Sequence, residues 1–192
     1  MPPIRIPSDT VSSAGRAAHN AGLAALLGGN LYGRVAMHPA LADIGEKSER
    51  GKVLNRAWRR YGWVNSASLV AIAAGWAGAR VNEARPSSLS PRERMLAKGK
   101  DAAVAAVVVT GIATAIAGMR FARAARNGAV PLEDGNRPAP ETPENAARLK
   151  RQVNALSTAN AAAELALVGI NAALGQANFR RPPARRLLRR RY

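Results

Sequence analysis

Four apolar segments rich in alanine and glycine alternate along the chain with loops dense in arginine and lysine. The segments cover residues 17–37, 62–79, 102–119 and 153–177. Two of them, 62–79 and 102–119, are 18 residues long without a charged side chain, which is the shortest length expected of a transmembrane helix. The pattern therefore predicts an all-α protein, a four-helix transmembrane bundle with short interfacial helices in its loops.

The composition excludes some kinds of site and leaves two kinds of partner. The chain has no cysteine, so a disulfide framework or a thiolate metal site is impossible. Its net charge of +17 indicates nucleic acid or anionic lipid as a partner. Because a nucleic-acid-binding domain rarely isolates two charge-free runs, the lipid bilayer is favoured. The mean hydropathy of −0.15 reflects alanine rather than leucine and keeps a soluble bundle as the alternative.

The chain divides into a flexible leader at residues 1–12, a membrane domain at residues 13–178 and an arginine-rich tail at residues 179–192. The tail carries seven arginines, which favours contact with anionic lipid headgroups over a nucleic-acid arm. Because such a tail resists translocation, both termini are predicted to face the cytoplasm, with the protein in the plasma membrane.

Two short helices are predicted beside the membrane, around residues 51–60 and 91–100. The second has Ser90 as its N-cap and a proline at its first position. The stretch 127–145 contains four prolines and is predicted to be a surface loop, partly disordered.

Small residues at four-residue spacing predict close packing of the first three helices, since small side chains let helix backbones approach each other. Packing within one chain is favoured, and a homodimer face is the alternative. The predicted ridges are Ala21, Ala25, Gly29 and Gly33; Ala67, Ala71, Gly75 and Ala79; and Ala102, Ala106, Thr110, Thr114 and Gly118.

A polar stripe on the fourth segment contains Glu164, an acidic side chain near the middle of a predicted span. The spacing of Ser157, Asn160, Glu164 and Asn171 places them on one helix face. An uncompensated carboxylate at this depth is costly, so the residues that meet Glu164 matter for both stability and function.

The first segment offers matching partners for Glu164. At about 1.5 Å per residue, Glu164 falls near the depth of Asn30 and within reach of Arg34. We therefore expect Glu164 to pair with Arg34, to hydrogen-bond Asn30 and Asn160, or to titrate. Thr110 or Thr114 of the third segment and Asn65 or Ser68 of the second reach similar depths.

Two roles are open for this polar cluster. It can fix which helix faces which, or it can be a site for a substrate, a proton or another ligand inside the bundle, since ionisable groups in membrane spans are functional candidates. Asn171, His19 and His38 are secondary candidates for the same site.

Catalytic motifs are absent from the sequence. It contains no nucleophile elbow, P-loop, dinucleotide-binding turn or HExxH motif, and no cofactor or metal is expected. His19 and His38 would lie ~28 Å apart on one helix, too far to share a haem or a metal ion. Each is more simply an interfacial or capping histidine, with a catalytic role as the alternative.

Three stretches of the chain resemble a set of uncharacterised small four-helix membrane proteins of high-GC actinobacteria. They are GGNLYGRVAMHPAL at 28–41, AWRRYG at 57–62 and VPLEDG at 130–135. This resemblance implies a membrane fold and no particular activity. The exit of the first helix, MHPAL at 37–41, is also similar to that of anthrone-oxygenase-like membrane proteins, apart from the inserted His38. The second resemblance implies cofactor-independent oxygenation.

Three functions follow as hypotheses. The first is an integral membrane protein with a structural or accessory role, since four spans occur without catalytic motifs. The second is a membrane enzyme or small-molecule binder that uses the polar cluster in the bundle. The third is a soluble, basic, nucleic-acid-associated bundle, which the scatter of basic residues over every loop disfavours.

Overall fold

A computed structural model shows four long α-helices in residues 8–81, 84, 87 and 89–179, which are the residues that it describes. Residues 1–7 of the predicted leader and 180–192 of the predicted tail lie outside the described residues. No β-strand occurs in the described part of the chain, and the all-α fold class is confirmed. The helices are α1, Ser8–Tyr32; α2, Lys47–Val81; α3, Pro91–Ala122; and α4, Glu144–Phe179.

Short turns join these helices. A π-helical turn, Gly33–Met37, continues directly from α1 and is followed by a single α-helical turn, His38–Ala40, and a 3-10 turn, Leu41–Asp43. A second 3-10 turn, Arg126–Gly128, follows α3. Pro39 therefore stands at the start of a new turn, where its missing N–H is tolerated.

The bundle is built from two helix pairs, since α1 packs mainly on α2 and α3 mainly on α4. The alternating direction of the helices brings the last turn of α1, the first turn of α2, the last turn of α3 and the first turn of α4 to one end. We call this the cap end. Most of the packing between helices therefore occurs inside each pair.

The predicted interfacial helices are not separate elements. Residues 51–60 belong to α2 and residues 91–100 to α3, because no proline interrupts either helix after its first position. The predicted N-cap is confirmed: Ser90 and Glu93 form a reciprocal capping box. At 35 residues, α2 is ~50 Å long, well beyond the ~30 Å hydrocarbon core of a bilayer.

Glycines at seven-residue spacing in α1 form its closest contacts with α2. The partners on α2 recur at the same spacing in the opposite direction, as expected of an antiparallel helix pair with a heptad repeat. The contacts join Gly15 to Gly75, Gly22 to Ser68 and Gly29 to Tyr61.

This seam differs from the ridge predicted for α1. A Cβ atom on Gly22 would lie 2.9 Å from the backbone oxygen of Ser68, so only glycine allows this approach. Gly29 and Gly33 belong both to the predicted ridge and to the observed contact. Ala21 is exposed, so the four-residue spacing is wrong for the first half of α1.

Two hydrophobic cores stabilise the fold. The bundle core lies between the helices, and its buried members include Leu23, Leu26, Ile72, Val107 and Leu167. The second core lies at the cap end and is formed by Leu41, Leu54, Phe121, Val130, Leu132 and Ala146. We call residues 38–60 and 121–150, which surround the second core, the cap.

The loop after α3 is ordered, contrary to the expectation of partial disorder. Val130 and Leu132 are fully buried, and Arg50 donates hydrogen bonds to the carbonyl oxygens of Leu132 and Glu133. Lys47 pairs with Glu133 at 2.7 Å. The loop therefore folds onto the first turns of α2 because its apolar side chains and its backbone acceptors both find partners there.

Two helices in the described part of the chain are long and apolar enough to cross a membrane. They are Pro91–Ala122 and Glu144–Ala177. Length and composition alone give this result, and α1 and α2 do not meet the same criteria.

We predict opposite effects for two alanine substitutions in α1. Gly22→Ala places a methyl group against the backbone of α2 and should lower the free energy of unfolding by about 1–3 kcal/mol. Gly28→Ala is the matched control, because a Cβ there meets no atom within 4 Å. It should raise stability by up to about 1 kcal/mol, since alanine is the better helix former. Thermal unfolding followed by circular dichroism measures both, and equal effects would contradict the glycine seam.

Candidate functional site

Glu164 lies at the centre of a buried hydrogen-bond cluster between α1, α3 and α4. Its side chain is fully buried. The Nδ2 atom of Asn30 donates to Glu164 Oε1 at 2.8 Å, and Asn160 donates to the same oxygen. Oε2 of Glu164 is buried without a hydrogen-bond partner. The carboxyl group is therefore held through one oxygen only.

Thr110 connects α3 to this cluster. Its Oγ1 atom lies 2.8 Å from Asn160 Oδ1 and 2.6 Å from the carbonyl oxygen of Ala106, and its single proton serves one of these acceptors at a time. Asn160 thus bridges Thr110 and Glu164. We call Asn30, Thr110, Asn160 and Glu164 the Glu164 cluster.

The predicted ion pair between Arg34 and Glu164 is not formed. Arg34 instead donates to Ser157 Oγ at 2.8 Å and to Thr158 Oγ1 at 2.9 Å. Because Arg34 follows Asn30 by one helical turn, its guanidinium group meets α4 nearer the cap than Glu164 does. The long arginine side chain finds uncharged acceptors at its own level.

Two further predicted members do not join the Glu164 cluster through hydrogen bonds. Thr114 donates to the carbonyl oxygen of Thr110 in its own helix at 2.7 Å. Asn65 has a buried Oδ1 without a hydrogen-bond partner. Of the two threonines expected at this depth, Thr110 contacts Asn160 and Thr114 does not.

His19 and Asn171 form a second, smaller contact nearer the other end. The Nδ1–H of His19 donates to the carbonyl oxygen of Ile72 at 2.8 Å, since a carbonyl can only accept. Nε2 is then the acceptor for Asn171 Nδ2 at 3.4 Å. Asn171 Oδ1 is buried without a partner. His19 therefore ties α1 to both α2 and α4 and lies outside the Glu164 cluster.

Hydrogen bonds of His38 join several segments of the cap. The indole N–H of Trp58 donates to His38 Nε2 at 3.1 Å, so Nδ1 carries the proton and donates to Asn136 Oδ1 at 2.7 Å. The backbone N–H of Gly135 donates to the carbonyl oxygen of His38 at 2.9 Å. Asn154 donates to the carbonyl oxygen of Asn136 at 2.6 Å. One neutral histidine thus links α1, α2 and the loop after α3.

The surroundings of His38 favour its neutral form. Burial lowers the pKa of His38 to about 4, and the nearby charges of Lys150 and Arg34 act in the same direction. The hydrogen bond that His38 donates to Asn136 and the charge of Asp134 oppose this shift. His38 is therefore uncharged at neutral pH, as its donor and acceptor roles require.

Lys150 is a buried cation of the cap that the sequence analysis did not single out. It is 2% exposed, and its Nζ atom lies 5.6 Å from the centre of the Phe121 ring. Burial lowers the pKa of Lys150 to about 8, and the charge of Asp134 opposes that shift. Burial alone would raise the pKa of Asp134, but hydrogen bonds from Asn136 and Arg137 keep it below its usual value.

A polar cluster at the opposite end was also missed. Asp101 accepts a hydrogen bond from the indole N–H of Trp76 at 2.7 Å and pairs with Arg80 at 3.0 Å. The Nζ atom of Lys100 lies 4.2 Å from the centre of the Trp76 ring. Asp101 directly precedes the charge-free run 102–119 of α3. This position at the start of the run is the sequence signal that marks Asp101.

A sequence signal for Lys150 was also available. The spacing that aligns Asn160 with Glu164 continues back through Ser157 and Asn154 to Lys150, so one polar face of α4 runs into the cap. No signal of that kind identifies Asn136, whose partners His38 and Asn154 are distant in the sequence.

Within the Glu164 cluster, the side chains of Asn160 and Glu164 are buried. Of the two cavities described here, one lies along Ala14, Ala18, Ala67 and Ala74 on the outside of α1 and α2, and the other is lined by Trp58 and Tyr61. Neither is lined by Glu164. In the described residues, no group of three or more His, Cys, Asp or Glu side chains could hold a metal ion.

Compared with protein-family models, with curated proteins and with solved structures, the chain shows no match. The resemblances to actinobacterial membrane proteins and to anthrone-oxygenase-like proteins therefore stay predictions. Any functional argument has to start from the geometry of the chain itself.

We predict that the carbonyl oxygen of residue 164 matters more than its charge. Glu164→Gln keeps an acceptor for Asn30 and Asn160 and should change the free energy of unfolding by less than about 1 kcal/mol. Glu164→Leu leaves both amide donors unpaired and should cost about 2–4 kcal/mol. Thermal unfolding of both variants measures the difference.

The double variant Arg34→Ala/Glu164→Gln tests whether Arg34 and Glu164 interact. Because the two side chains have no shared partner, their effects should add within about 0.5 kcal/mol. A larger coupling would contradict the separation of Arg34 from the Glu164 cluster.

We predict that the cap loosens in acid through His38. The unfolded chain takes up the His38 proton near pH 6.5 and the folded chain only near pH 4. Between these values the unfolded state binds more protons, so stability falls as the pH is lowered, by roughly 3 kcal/mol over the interval. Unfolding free energies measured from pH 7 to pH 4 should show this slope reduced in His38→Ala. An unchanged slope in that variant would refute the assignment.

Proposed function

We propose that this chain is a multi-pass integral membrane protein with a structural or accessory role. The observation that carries the proposal is that α3 and α4 bury bonded polar side chains between the helices while they expose a surface of aliphatic side chains. Their polar side chains Thr110, Asn160 and Glu164 point inward and bond to one another. Several of their bulky aliphatic side chains point outward, while Val107 and Leu167 lie in the bundle core.

The outward side chains of α3 and α4 form an apolar surface. Val109 is 65% exposed and Leu165 is 55% exposed. A water-soluble bundle would bury such residues, and exposed apolar patches mark contacts with lipid or with partners. The other exposed members are Ile112, Ile116, Met119 and Val168.

In the proposed arrangement α1 and α2 cross the bilayer together with α3 and α4. Residues 17–33 of α1 and 62–79 of α2 carry no lysine, arginine or acidic side chain. Trp63 and Val70 lie on the outer surface of α2. The glycine seam supports this arrangement, since small residues are the usual means by which helices pack tightly in lipid.

The proposed orientation places the cap outside the cell and both termini in the cytoplasm, in the plasma membrane. The seven arginines of residues 179–192 are its basis. Within this arrangement the Glu164 cluster fixes the mutual rotation of α1, α3 and α4, because a misrotated helix would leave buried amide groups without partners.

A structural role is favoured over an enzyme because the carboxyl group of Glu164 is fully buried. A substrate of an oxygenase would need an opening to the Glu164 cluster, and the two cavities described lie elsewhere. The nucleic-acid alternative would need its basic side chains on one face. They instead form belts at both ends, with Arg56, Arg59 and Arg120 at one end and Arg92 and Arg94 at the other.

Membrane fractionation tests the proposal. We expect the protein to stay with the membranes through washes in high salt and in alkaline carbonate, and to be released only by detergent, because the apolar outer surface needs lipid or detergent around it. Recovery in the soluble fraction after a salt wash would overturn it. A reporter fused after Tyr192, active only outside the cell, should remain inactive if the termini are cytoplasmic.

A further inference from the structure

Two stripes of exposed side chains lie on the outward faces of α2 and α3. In each stripe the spacing alternates between three and four residues, so its members share one helix face. Both stripes end in arginine on the side of the cap. The α2 stripe is Arg56, Arg59, Trp63, Ser66 and Val70, and the α3 stripe is Val109, Ile112, Ile116, Met119 and Arg123.

The two stripes lie side by side along the boundary between the helix pairs. Leu69 of α2 contacts Gly111 of α3, where a Cβ atom would lie 2.9 Å from the Leu69 side chain. The residues that follow them, Val70 and Ile112, are 66% and 49% exposed. They therefore flank this contact on the outer surface of the bundle.

The same register holds at the cap end. Asn55 of α2 donates to the carbonyl oxygen of Gly128, which lies just after α3, at 2.9 Å. Arg56 directly follows Asn55, and Arg59 lies about one turn further from the cap. Because α2 and α3 run in opposite directions, Arg59 falls at the level of Arg123. The arginines of the two stripes thus meet at one end of a shared surface.

These arginines have no carboxylate partner in the part of the chain that the structure describes. Arg56, Arg59 and Arg123 form no ion pair there. Several acidic side chains of the cap pair with other cations: Glu49 with Lys52, Glu133 with Lys47, Asp134 with Arg137, and Glu144 with Arg151. The positive charge of the stripes is therefore available to an anionic partner.

The apolar part of this surface is about as long as one leaflet of a bilayer is thick. From Val109 to Met119 the α3 stripe covers ~15 Å, which is half of the ~30 Å hydrocarbon core. Trp63 is 73% exposed and stands between the apolar part and the arginines, as indole rings do at a membrane interface. The order of apolar, aromatic and cationic side chains thus matches the acyl chain, the interface and the headgroup of a lipid.

We propose that this surface binds one anionic phospholipid. Its acyl chain lies along the apolar part of the two stripes, and its phosphate group lies among Arg56, Arg59 and Arg123. Arginine suits this contact because its planar guanidinium group can donate two hydrogen bonds to phosphate oxygens. The inference rests on the proposed membrane function, since it needs the outer surface of α2 and α3 to lie in lipid.

Native mass spectrometry of the detergent-purified full chain tests this proposal. The probes are phosphatidylglycerol and phosphatidylcholine with identical acyl chains. We expect one phosphatidylglycerol to be retained at least about tenfold more tightly than phosphatidylcholine, because each arginine adds to the attraction for an anionic headgroup. Equal retention of the two lipids would overturn the proposal.

A matched pair of variants locates the headgroup. Arg59→Gln/Arg123→Gln should weaken the retention of phosphatidylglycerol about tenfold, because only Arg56 of the three arginines is left. Arg92→Gln/Arg94→Gln removes the same charge from exposed side chains at the opposite end of the bundle and should leave retention unchanged. Equal effects of the two variants would refute the assigned site.

A second matched pair locates the acyl chain. Ile112→Ser/Ile116→Ser removes apolar contact area from the α3 stripe and should weaken the retention of phosphatidylglycerol at least about threefold. Leu165→Ser/Val168→Ser makes the same change on exposed side chains of α4 and should not. Undiminished retention in the α3 variant would contradict the proposal. If that variant does not fold, the arginine pair decides the outcome.

Inorganic phosphate separates a lipid site from a simple anion site. Displacement of phosphatidylglycerol by an equal concentration of phosphate would show that the acyl chain contributes nothing and would overturn the proposal. A protein that stays in carbonate-washed membranes but lacks the lipid preference would refute this inference alone. Recovery in the soluble fraction after a salt wash would refute the proposed membrane function itself.

Discussion

The fold depends on polar side chains that bond to one another between the helices, while the outward face of α3 and α4 is largely apolar. In α4, Asn160 and Glu164 point toward α1 and α3, while Leu165 and Val168 point away from the bundle. Asn30, Asn160 and Asn171 each bond to a side chain on another helix, so the helices can rotate little without breaking hydrogen bonds. Aliphatic packing alone would define these rotations poorly, because alanine-rich surfaces offer few distinctive shapes.

The glycine seam and the Glu164 cluster support each other. Gly22 and Gly29 bring α1 close to α2, and the same helix presents Asn30 to Glu164 on α4. Since Gly29 and Asn30 are adjacent, a shift of α1 that opened the seam would also move the amide that serves Glu164. One helix thus fixes the relation of the two helix pairs.

Much of the bundle could be predicted from the sequence, because helix number, helix direction and residue depth follow from run lengths and the rise per residue. Those rules placed Asn30 beside Glu164. They failed for Arg34, since a flexible side chain bonds to whatever acceptors its own turn offers, here Ser157 and Thr158. They also failed for the loop after α3. The order of this loop depends on contacts with Arg50 and His38, which lie too far away in the sequence for a local pattern to indicate them. The membrane crossing itself, the role of Glu164 and the activity stay predictions.

The cap has a consequence for the order in which the protein is assembled. His38 and Asn136 are separated by 98 positions in the chain, and Asn154 of the last helix binds the same loop. A nascent chain therefore cannot complete the cap until the first turns of α4 have been synthesised, because Asn154 and Ala146 belong to that helix. Contacts of such long sequence separation form late in folding. Ala146 of α4 completes the core around Val130 and Leu132, so a newly made chain would display an incompletely covered apolar core to chaperones and proteases for as long as its last helix is missing.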